Sequence, residues 1–366
     1  MTLKSRIKER GINAMMIGLL FLGLVIYSFS AKAQGIQNTG YDPISQVSNT
    51  DKKIHLATNA NMEARAVPLH ASINSPYAEL KPRVTPDGSR LYISRSYHPS
   101  NTFGETDPED IWYSDFDKIS NTWSDPIRMS GFLNNDGPNF INNVSMTGDT
   151  IILGNQYGKR GKMRAGISYS VNVNGQWSAP VPIDIKNDYN MSEHANSFVS
   201  LKSGVIIRAI ERGETFGQRD LYVSFWNGVQ ATEPINMGNM INTDLEESSP
   251  FLASDNKTMY FASKGHAGYG GYDIFVTRRL DDSWTNWTAP ENLGPAVNGA
   301  MDDEFFNISH CKRFAFFSRQ ISVHNVDIFR IPIAELYKEP KSNPGEAVNS
   351  NNDKKKKIDI SKLTLL

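Results

Sequence analysis

Residues 246–287 read EESSPFLASDNKTMYFASKGHAGYGGYDIFVTRRLDDSWTNW, and this stretch is one copy of a unit that recurs along the chain. Each copy has an acidic or polar lead-in, two short apolar strands joined by a turn, and a loop. A third strand and an outer strand ending in Trp and Pro follow. Self-similarity at a fixed period is typical of repeat architectures.

Two independent markers give the period. The apolar residue of the third strand recurs every 53 to 56 residues, and the proline of the outer strand recurs every 54 to 56. These markers are Ile111, Ile167, Leu221, Ile274 and Ile328, and Pro126, Pro180, Pro234 and Pro290. The runs between them are rich in β-branched and aromatic residues and lack helical periodicity, so each unit predicts a four-stranded propeller blade.

Counting the copies gives five blades. The fifth copy, residues 303–332, stops after its third strand, and residues 67–69 match the outer strands of the other copies. The N-terminal segment is therefore predicted to complete the last blade, which removes exposed sheet edges. The predicted fold class is all-β, a five-bladed β-propeller closed by an N-terminal strand, with six blades as the alternative.

The flanking segments have different compositions. Residues 1–33 combine a basic head, an apolar run over 14–27 and small residues at Ala31 and Ala33, which predicts a cleaved signal peptide. Residues 34–62 are interpreted as a polar linker, 63–333 as the propeller and 334–366 as a disordered basic tail. The lysine run 354–357 in that tail leaves open peripheral docking on a partner or an anionic envelope surface.

Charge and cysteine content exclude some classes of function. Residues 1–33 hold five of the 38 basic and one of the 39 acidic residues, so the remaining chain carries a net charge of −5. This argues against a nucleic-acid binder, which would carry a basic patch. Cys311 is the single cysteine, so the chain can form no internal disulfide.

The repeat resembles a known family. Residues 247–263 with Gly271-Tyr-Asp-Ile-Phe are similar to the WD40-like repeat called PD40, and residues 98–101, 109–114 and 302–308 resemble the propeller of OmpA-family envelope proteins of Bacteroidetes. The resemblance implies a propeller that is exported to the periplasm or the outer membrane and binds or scaffolds there. The propeller proteins of the Tol system are more distantly similar.

Acidic residues recur at the lead-in of each copy. They are Glu79, Asp136, Glu193, Glu247 and Asp303. Inner strands of a propeller start near its central channel, so these acids are predicted to gather at the channel mouth, where like charges raise carboxyl pKa values and attract cations. The alternative is structural, with each acid accepting backbone N–H groups in the turn before its strand.

Three loops interrupt the regular pattern, and loops on a rigid scaffold commonly carry binding residues. Their candidate residues are His98 and Glu105 in an acidic loop, Lys159 and Arg160 in a basic one, and His266 and Tyr269 in a Gly-rich one. The histidines show no paired ligand spacing and no metal or nucleophile motif occurs, so we predict no metal site, no cofactor and no catalytic residue.

These features lead to one expectation about function and one alternative. The expectation is a non-catalytic binding or scaffold propeller of the bacterial envelope, with a protein or a glycan as partner and no nucleic acid. The alternative is a glycan-active, glycosidase-like enzyme, because five-bladed propellers also host glycosidases, which need paired carboxylates.

Overall fold

β-Strands make up nearly all the regular structure of the computed structural model, which describes residues 53–158 and 162–337. The predicted signal peptide, most of the predicted tail, and Lys159 and Arg160 lie outside the described residues. The first strands are β1 (Val67–Pro68), β2 (Ala78–Val84), β3 (Arg90–Ser96), β4 (Asp110–Asp117), β5 (Thr122–Trp123), β6 (Ile127–Arg128), β7 (Ile141–Val144), β8 (Thr150–Tyr157), β9 (Met163–Val173), β10 (Gln176–Trp177) and β11 (Val181–Pro182).

The second half of the chain repeats this arrangement. Its strands are β12 (Asp184–Ile185), β13 (Asn196–Ser200), β14 (Val205–Ile210), β15 (Asp220–Phe225), β16 (Gln230–Ala231), β17 (Ile235–Asn236), β18 (Glu247–Leu252), β19 (Thr258–Ser263), β20 (Asp273–Arg278), β21 (Glu291–Asn292), β22 (Asp303–Ile308), β23 (Phe314–Ser322) and β24 (Asn325–Pro332). Short helical turns lie at Gly104–Thr106 and Gly131–Leu133, and helix α1 spans Ile333–Leu336.

Within the described residues we divide the long strands into five antiparallel groups, numbered 1 to 5 along the chain, which are β2–β4, β7–β9, β13–β15, β18–β20 and β22–β24. A parallel contact between β2 and β24 joins groups 1 and 5 in one nine-stranded sheet, β12 pairs parallel with β16, and short outer strands follow groups 1 to 4. The inner strands β2, β7, β13, β18 and β22 contact one another in sequence, and β22 meets β2. The ring of inner strands surrounds a central channel, and the predicted all-β propeller class is confirmed.

The N-terminal strand completes group 5, as predicted. β1 pairs antiparallel with β24, with Val67 opposite Arg330 and Pro68 opposite Phe329. Asn74 reinforces this junction, because its Oδ1 accepts the Ile328 N–H at 2.9 Å and its Nδ2 donates to the Ile328 carbonyl at 3.1 Å. The same two-way bond recurs at Asn134 with Ile111, Asn242 with Leu221, and Asn298 with Ile274.

Part of the predicted linker packs on the propeller. The N–H of Asn292 donates to the carbonyl of His55 at 2.7 Å, and the N–H of Asn61 donates to the carbonyl of Leu336 at 3.0 Å. Ala57 is buried in the core shared by groups 4 and 5. Residues 55–62 therefore add to the fold, while the limits of the propeller domain stay a prediction.

The core lies between neighbouring groups. The rings of Tyr260 in group 4 and Phe306 in group 5 are 4.8 Å apart, and Phe317 stacks on Phe329. Full burial of such side chains stabilises a fold by about 1.5–3 kcal/mol each. No helix in the two described ranges is long and apolar enough to span a bilayer.

Candidate functional site

Three of the predicted lead-in acids are fully buried. Glu79, Glu247 and Asp303 each have zero exposure, and each accepts the backbone N–H of the residue four positions earlier, at 2.8, 2.9 and 2.6 Å. Their carboxyls point into the strand groups rather than into the channel. In these three groups the acid has the structural role that the sequence left as an alternative.

The other two lead-in acids occupy different positions. Asp136 and Glu193 are exposed. In group 2 the turn is closed by Asn139, whose Oδ1 accepts the N–H of Asn135 at 2.6 Å. In group 3 the position equivalent to Glu247 is Ala195. The residue after it, Asn196, pairs with β14 in the same way as Ser248, the residue after Glu247, pairs with β19. The five predicted acids therefore do not form one ring.

The candidate loop residues lie apart from one another. His98 packs edge-on against Tyr77 and Trp112, and burial followed by the charge of Arg95 lowers its pKa. Glu105 is exposed in the Gly104–Thr106 turn.

The Gly-rich loop is held by polar contacts. The Nε2 of His266 lies 2.9 Å from the carbonyl oxygen of Ile241, and the same ring lines a surface cavity of about 340 Å³ together with Lys53. The N–H of Tyr269 donates to Oδ2 of Asp273 at 2.6 Å. The loop therefore presents Tyr269 on a fixed backbone.

Residues adjacent to the buried acids link neighbouring inner strands. Side chains alternate along a strand, so Glu246 and Ser248 point away from the side that buries Glu247. The Nδ2 of Asn196 donates to the hydroxyl of Ser248 at 2.9 Å, and that hydroxyl donates to Oε1 of Glu304 at 2.7 Å. A polar chain thus links the starts of inner strands β13, β18 and β22, an end of the ring that we call the channel mouth.

Glu246 is the ionised carboxylate of the channel mouth. Lys264 Nζ and the Tyr272 hydroxyl donate to its Oε2 at 2.8 and 2.7 Å. Arg219 donates to its Oε1 at 3.3 Å and to the Tyr272 hydroxyl at 2.6 Å. Burial by itself would raise the pKa of Glu246, but the charges of Arg219 and Lys264 with the Tyr272 hydrogen bond lower this pKa to about 2.

Glu304 lies in the opposite electrostatic environment. Its pKa is raised, chiefly by burial and further by the charge of Asp302, against the opposing effects of the Ser248 hydroxyl and Arg219. The Ser249 hydroxyl also donates to its Oε1, at 3.1 Å. The side chain keeps partial exposure. Glu304 is therefore a carboxyl of raised pKa that keeps partial exposure, and Arg219 is a charged neighbour of both Glu304 and Glu246.

Buried charged and aromatic side chains lie on and beside the inner strands next to the mouth. Lys81 Nζ lies 2.6 Å from Oε1 of Glu109 and 4.2 Å from the centroid of the Phe140 ring. Arg83 of β2 donates to the carbonyl of Phe305 of the neighbouring inner strand β22 at 3.3 Å. All five residues are less than a tenth exposed. These contacts join the inner strands through buried charged groups.

Strained backbone accompanies these residues. Lys81, Ser249 and Phe305 occupy equivalent places two residues after a buried acid, and their φ angles are 53°, 50° and 58°. Each lies in a β-bulge of its inner strand. Bulges redirect side chains and are frequent beside functional sites. The sequence pattern did not single out Lys81, Ser249 and Phe305. The doubled acids at 246–247 and 302–304, which directly precede the bulges at Ser249 and Phe305, are the signal that could have indicated them.

The described residues contain no group of three or more His, Cys, Asp or Glu side chains placed to hold a metal ion. The polar groups of the mouth consist of carboxyls, hydroxyls, a guanidinium and an ammonium. Such groups can donate to and accept from neutral hydroxyls, and they can transfer a proton between carboxyl and ligand.

Several solved structures are similar to this chain. They include an endo-arabinase from Bacteroides thetaiotaomicron, with 16% identity, a TM-score of 0.49 and coverage of 74% of this chain and 98% of that one. An α-L-arabinofuranosidase from Lactobacillus brevis has 11% identity and a TM-score of 0.43, with coverage of 72% of this chain and 94% of that one. A TolB-like protein from Agrobacterium tumefaciens has 15% identity and a TM-score of 0.40, with coverage of 71% of this chain and 79% of that one. No family model and no curated protein matches the chain.

These comparisons correct one expectation. The prediction that the propeller is not an enzyme is wrong as it stands, because arabinase and other glycoside hydrolase chains are among the solved structures similar to this chain. Identities of this size bear on the fold alone.

Proposed function

We propose that the channel mouth is the active site of a glycan-cleaving enzyme. The supporting observation is the contrast between Glu304 and Glu246, which share Arg219 as a charged neighbour. Burial raises the pKa of Glu304, whereas the cationic partners of Glu246 lower the pKa of Glu246 to about 2. Pairs of carboxyls with pKa values driven apart are the pattern of acid and ionised partner in glycoside hydrolysis.

Each carboxyl has a defined role in this proposal. Glu304 donates its proton to the glycosidic oxygen as the bond to the leaving sugar breaks. Glu246 faces the positive charge that develops on the other sugar, and Tyr272 holds its carboxylate in place by the 2.7 Å hydrogen bond. Water then completes the hydrolysis, and its proton returns to Glu304.

The polar groups of the mouth favour a glycan. Asn196, Glu246 and Lys264 keep partial exposure, and their amide, carboxylate and ammonium groups are donors and acceptors suited to sugar hydroxyls. The proposal includes export to the periplasm or outer membrane, supported by the basic and apolar composition of residues 1–33 and by the PD40-type resemblance.

The test uses linear arabinan, xylan and laminarin together with 4-nitrophenyl monosaccharides. We expect turnover of at least one polysaccharide, and a loss of about 100-fold or more in kcat on it for Glu304→Gln. Because nitrophenolate needs no protonation to leave, Glu304→Gln should lose much less on the aryl glycoside. Glu246→Gln should lose activity on both substrates, and Asp125→Asn, an exposed carboxylate between β5 and β6, is the matched control. Absence of turnover across the panel, or an unchanged Glu304→Gln enzyme, would refute the proposal.

A further inference from the structure

Aromatic side chains stand on the loops that lead into the channel mouth. Phe103 is 54% exposed between β3 and β4, Phe216 is 55% exposed between β14 and β15, and Tyr269 is partly exposed between β19 and β20. Phe216 precedes Arg219 by three residues, and Tyr269 precedes Tyr272 by three. These rings therefore belong to the same end of the propeller as the proposed site.

The loops hold these rings on a fixed backbone. The N–H of Phe216 donates to Oδ2 of Asp220 at 2.9 Å, as the N–H of Tyr269 donates to Asp273. The N–H of Phe103 donates to Oδ2 of Asp107 at 3.1 Å. Because these hydrogen bonds already fix the loop backbone, binding a ligand costs little conformational entropy of the loops.

The surroundings of the rings favour sugars over a protein partner. Phe103, Phe216 and Tyr269 belong to three different strand groups, and polar residues such as Thr102, Glu105 and Glu214 lie between or beside them. A protein interface would present a contiguous apolar patch. Isolated flat rings around a polar cup suit the apolar faces of successive sugar rings with their hydroxyls in water.

We infer that Phe103, Phe216 and Tyr269 are stacking platforms for sugar units of an extended glycan that crosses the face of the propeller with one linkage in the channel mouth. The inference rests on the proposed function for the position of the cleaved bond. It identifies the substrate as a polymer cut internally, since platforms in groups 1, 3 and 4 would contact sugars on more than one side of the bond.

The test compares Phe103→Ala, Phe216→Ala and Tyr269→Ala with Ile119→Ala. Ile119 is 98% exposed in the β4–β5 connection, at the opposite end of its strands, and serves as the matched control. The probes are the polysaccharide that the enzyme cleaves and a 4-nitrophenyl monosaccharide. Each platform variant should raise KM for the polymer about 10-fold, which corresponds to about 1.4 kcal/mol, with kcat on the aryl glycoside unchanged.

The outcomes separate this inference from the proposed function. Unchanged polymer KM in all three platform variants, or equal losses on polymer and aryl glycoside, would overturn the platforms while leaving the active site intact. If the wild-type protein cleaves nothing, retardation in native gels containing arabinan, xylan or laminarin is measured instead. Retardation that the platform variants lose and Ile119→Ala keeps supports the inference even then, and retardation by none of the three polymers overturns it.

Discussion

Glu247 lies beside Asp220 of the preceding strand group, and no cation among the described residues forms an ion pair with either carboxyl. The N–H of Glu247 donates to the carbonyl of Arg219, the residue before Asp220, at 2.8 Å. Oδ1 of Asp220 is buried without a hydrogen-bond partner. Burial raises the pKa of Glu247 to about 8, with Asp220 adding to the shift.

Two other buried lead-in acids also make the stability of the fold depend on pH. Burial also raises the pKa values of Glu79 and Asp303 to about 7. Their pKa values in the unfolded chain are 4.5 and 3.8, so the folded state binds more protons between these limits. The stabilisation is complete below about pH 4 and is lost as pH rises through 7 to 8. We expect the Tm at pH 8.5 to be lower than at pH 5.5 by on the order of 5 °C, measured by calorimetry.

The substitution Glu247→Gln tests one junction separately. Glutamine cannot ionise, so the variant should lose little stability at pH 5.5 and should match or exceed the wild type at pH 8.5. Urea unfolding at both pH values measures this. An equal loss at the two pH values would mean that Glu247 is ionised in the fold.

The buried ion pair of Lys81 and Glu109 predicts a large effect of removing one partner. Glu109→Gln leaves the Lys81 ammonium, which is 8% exposed, without its counter-charge. Loss of one partner from a buried pair costs about 3–5 kcal/mol. The matched control is Asp115→Asn, because Asp115 pairs with Arg90 at the surface and such pairs contribute about 0–1 kcal/mol. Similar urea midpoints for both variants would contradict the prediction.

The bond between Asn74 and Ile328 predicts how the ring of strand groups closes. Asn74→Ala loses both the Oδ1 acceptor and the Nδ2 donor, whereas Asn74→Asp keeps the acceptor but sets a carboxylate oxygen against the Leu69 and Ile328 carbonyls that Nδ2 bonds. We expect Asn74→Ala to lose about 2 kcal/mol in the free energy of unfolding and Asn74→Asp to lose at least as much. Hydrogen exchange of residues 67–74 should rise more than that of β18–β20. Uniform acceleration across the chain would argue against a local closure.

Gly217 provides a test of the loop that carries Phe216. A Cβ at position 217 would overlap the backbone carbonyl of Leu245, which cannot move aside as a side chain could. Gly217→Ala should therefore shift the loop, destabilise the fold by about 1–3 kcal/mol and weaken polymer binding. Gly213 in the same loop has only the Tyr189 hydroxyl nearby, at 3.7 Å, so Gly213→Ala is the control. Equal polymer binding by both variants would contradict this prediction.

The sequence by itself determined the repeat, the strand content and the closing segment. The recurrence of Ile or Leu in the third strand and of Pro in the outer strand needs no tertiary information, because each copy forms the same local strand arrangement. The match between residues 67–69 and the outer strands of the other copies placed the N-terminal strand correctly, since β1 pairs with β24.

Only the tertiary structure decided which acids face the channel. Glu246 and Glu247 are neighbours with the same side chain, yet one is anchored by Lys264 at the mouth and the other is fully buried. Side chains alternate along a strand, so a shift of one residue exchanges the two faces. The direction of each pKa shift also depends on burial and on charges such as Arg219, which another strand group supplies. No spacing along the chain contains that information.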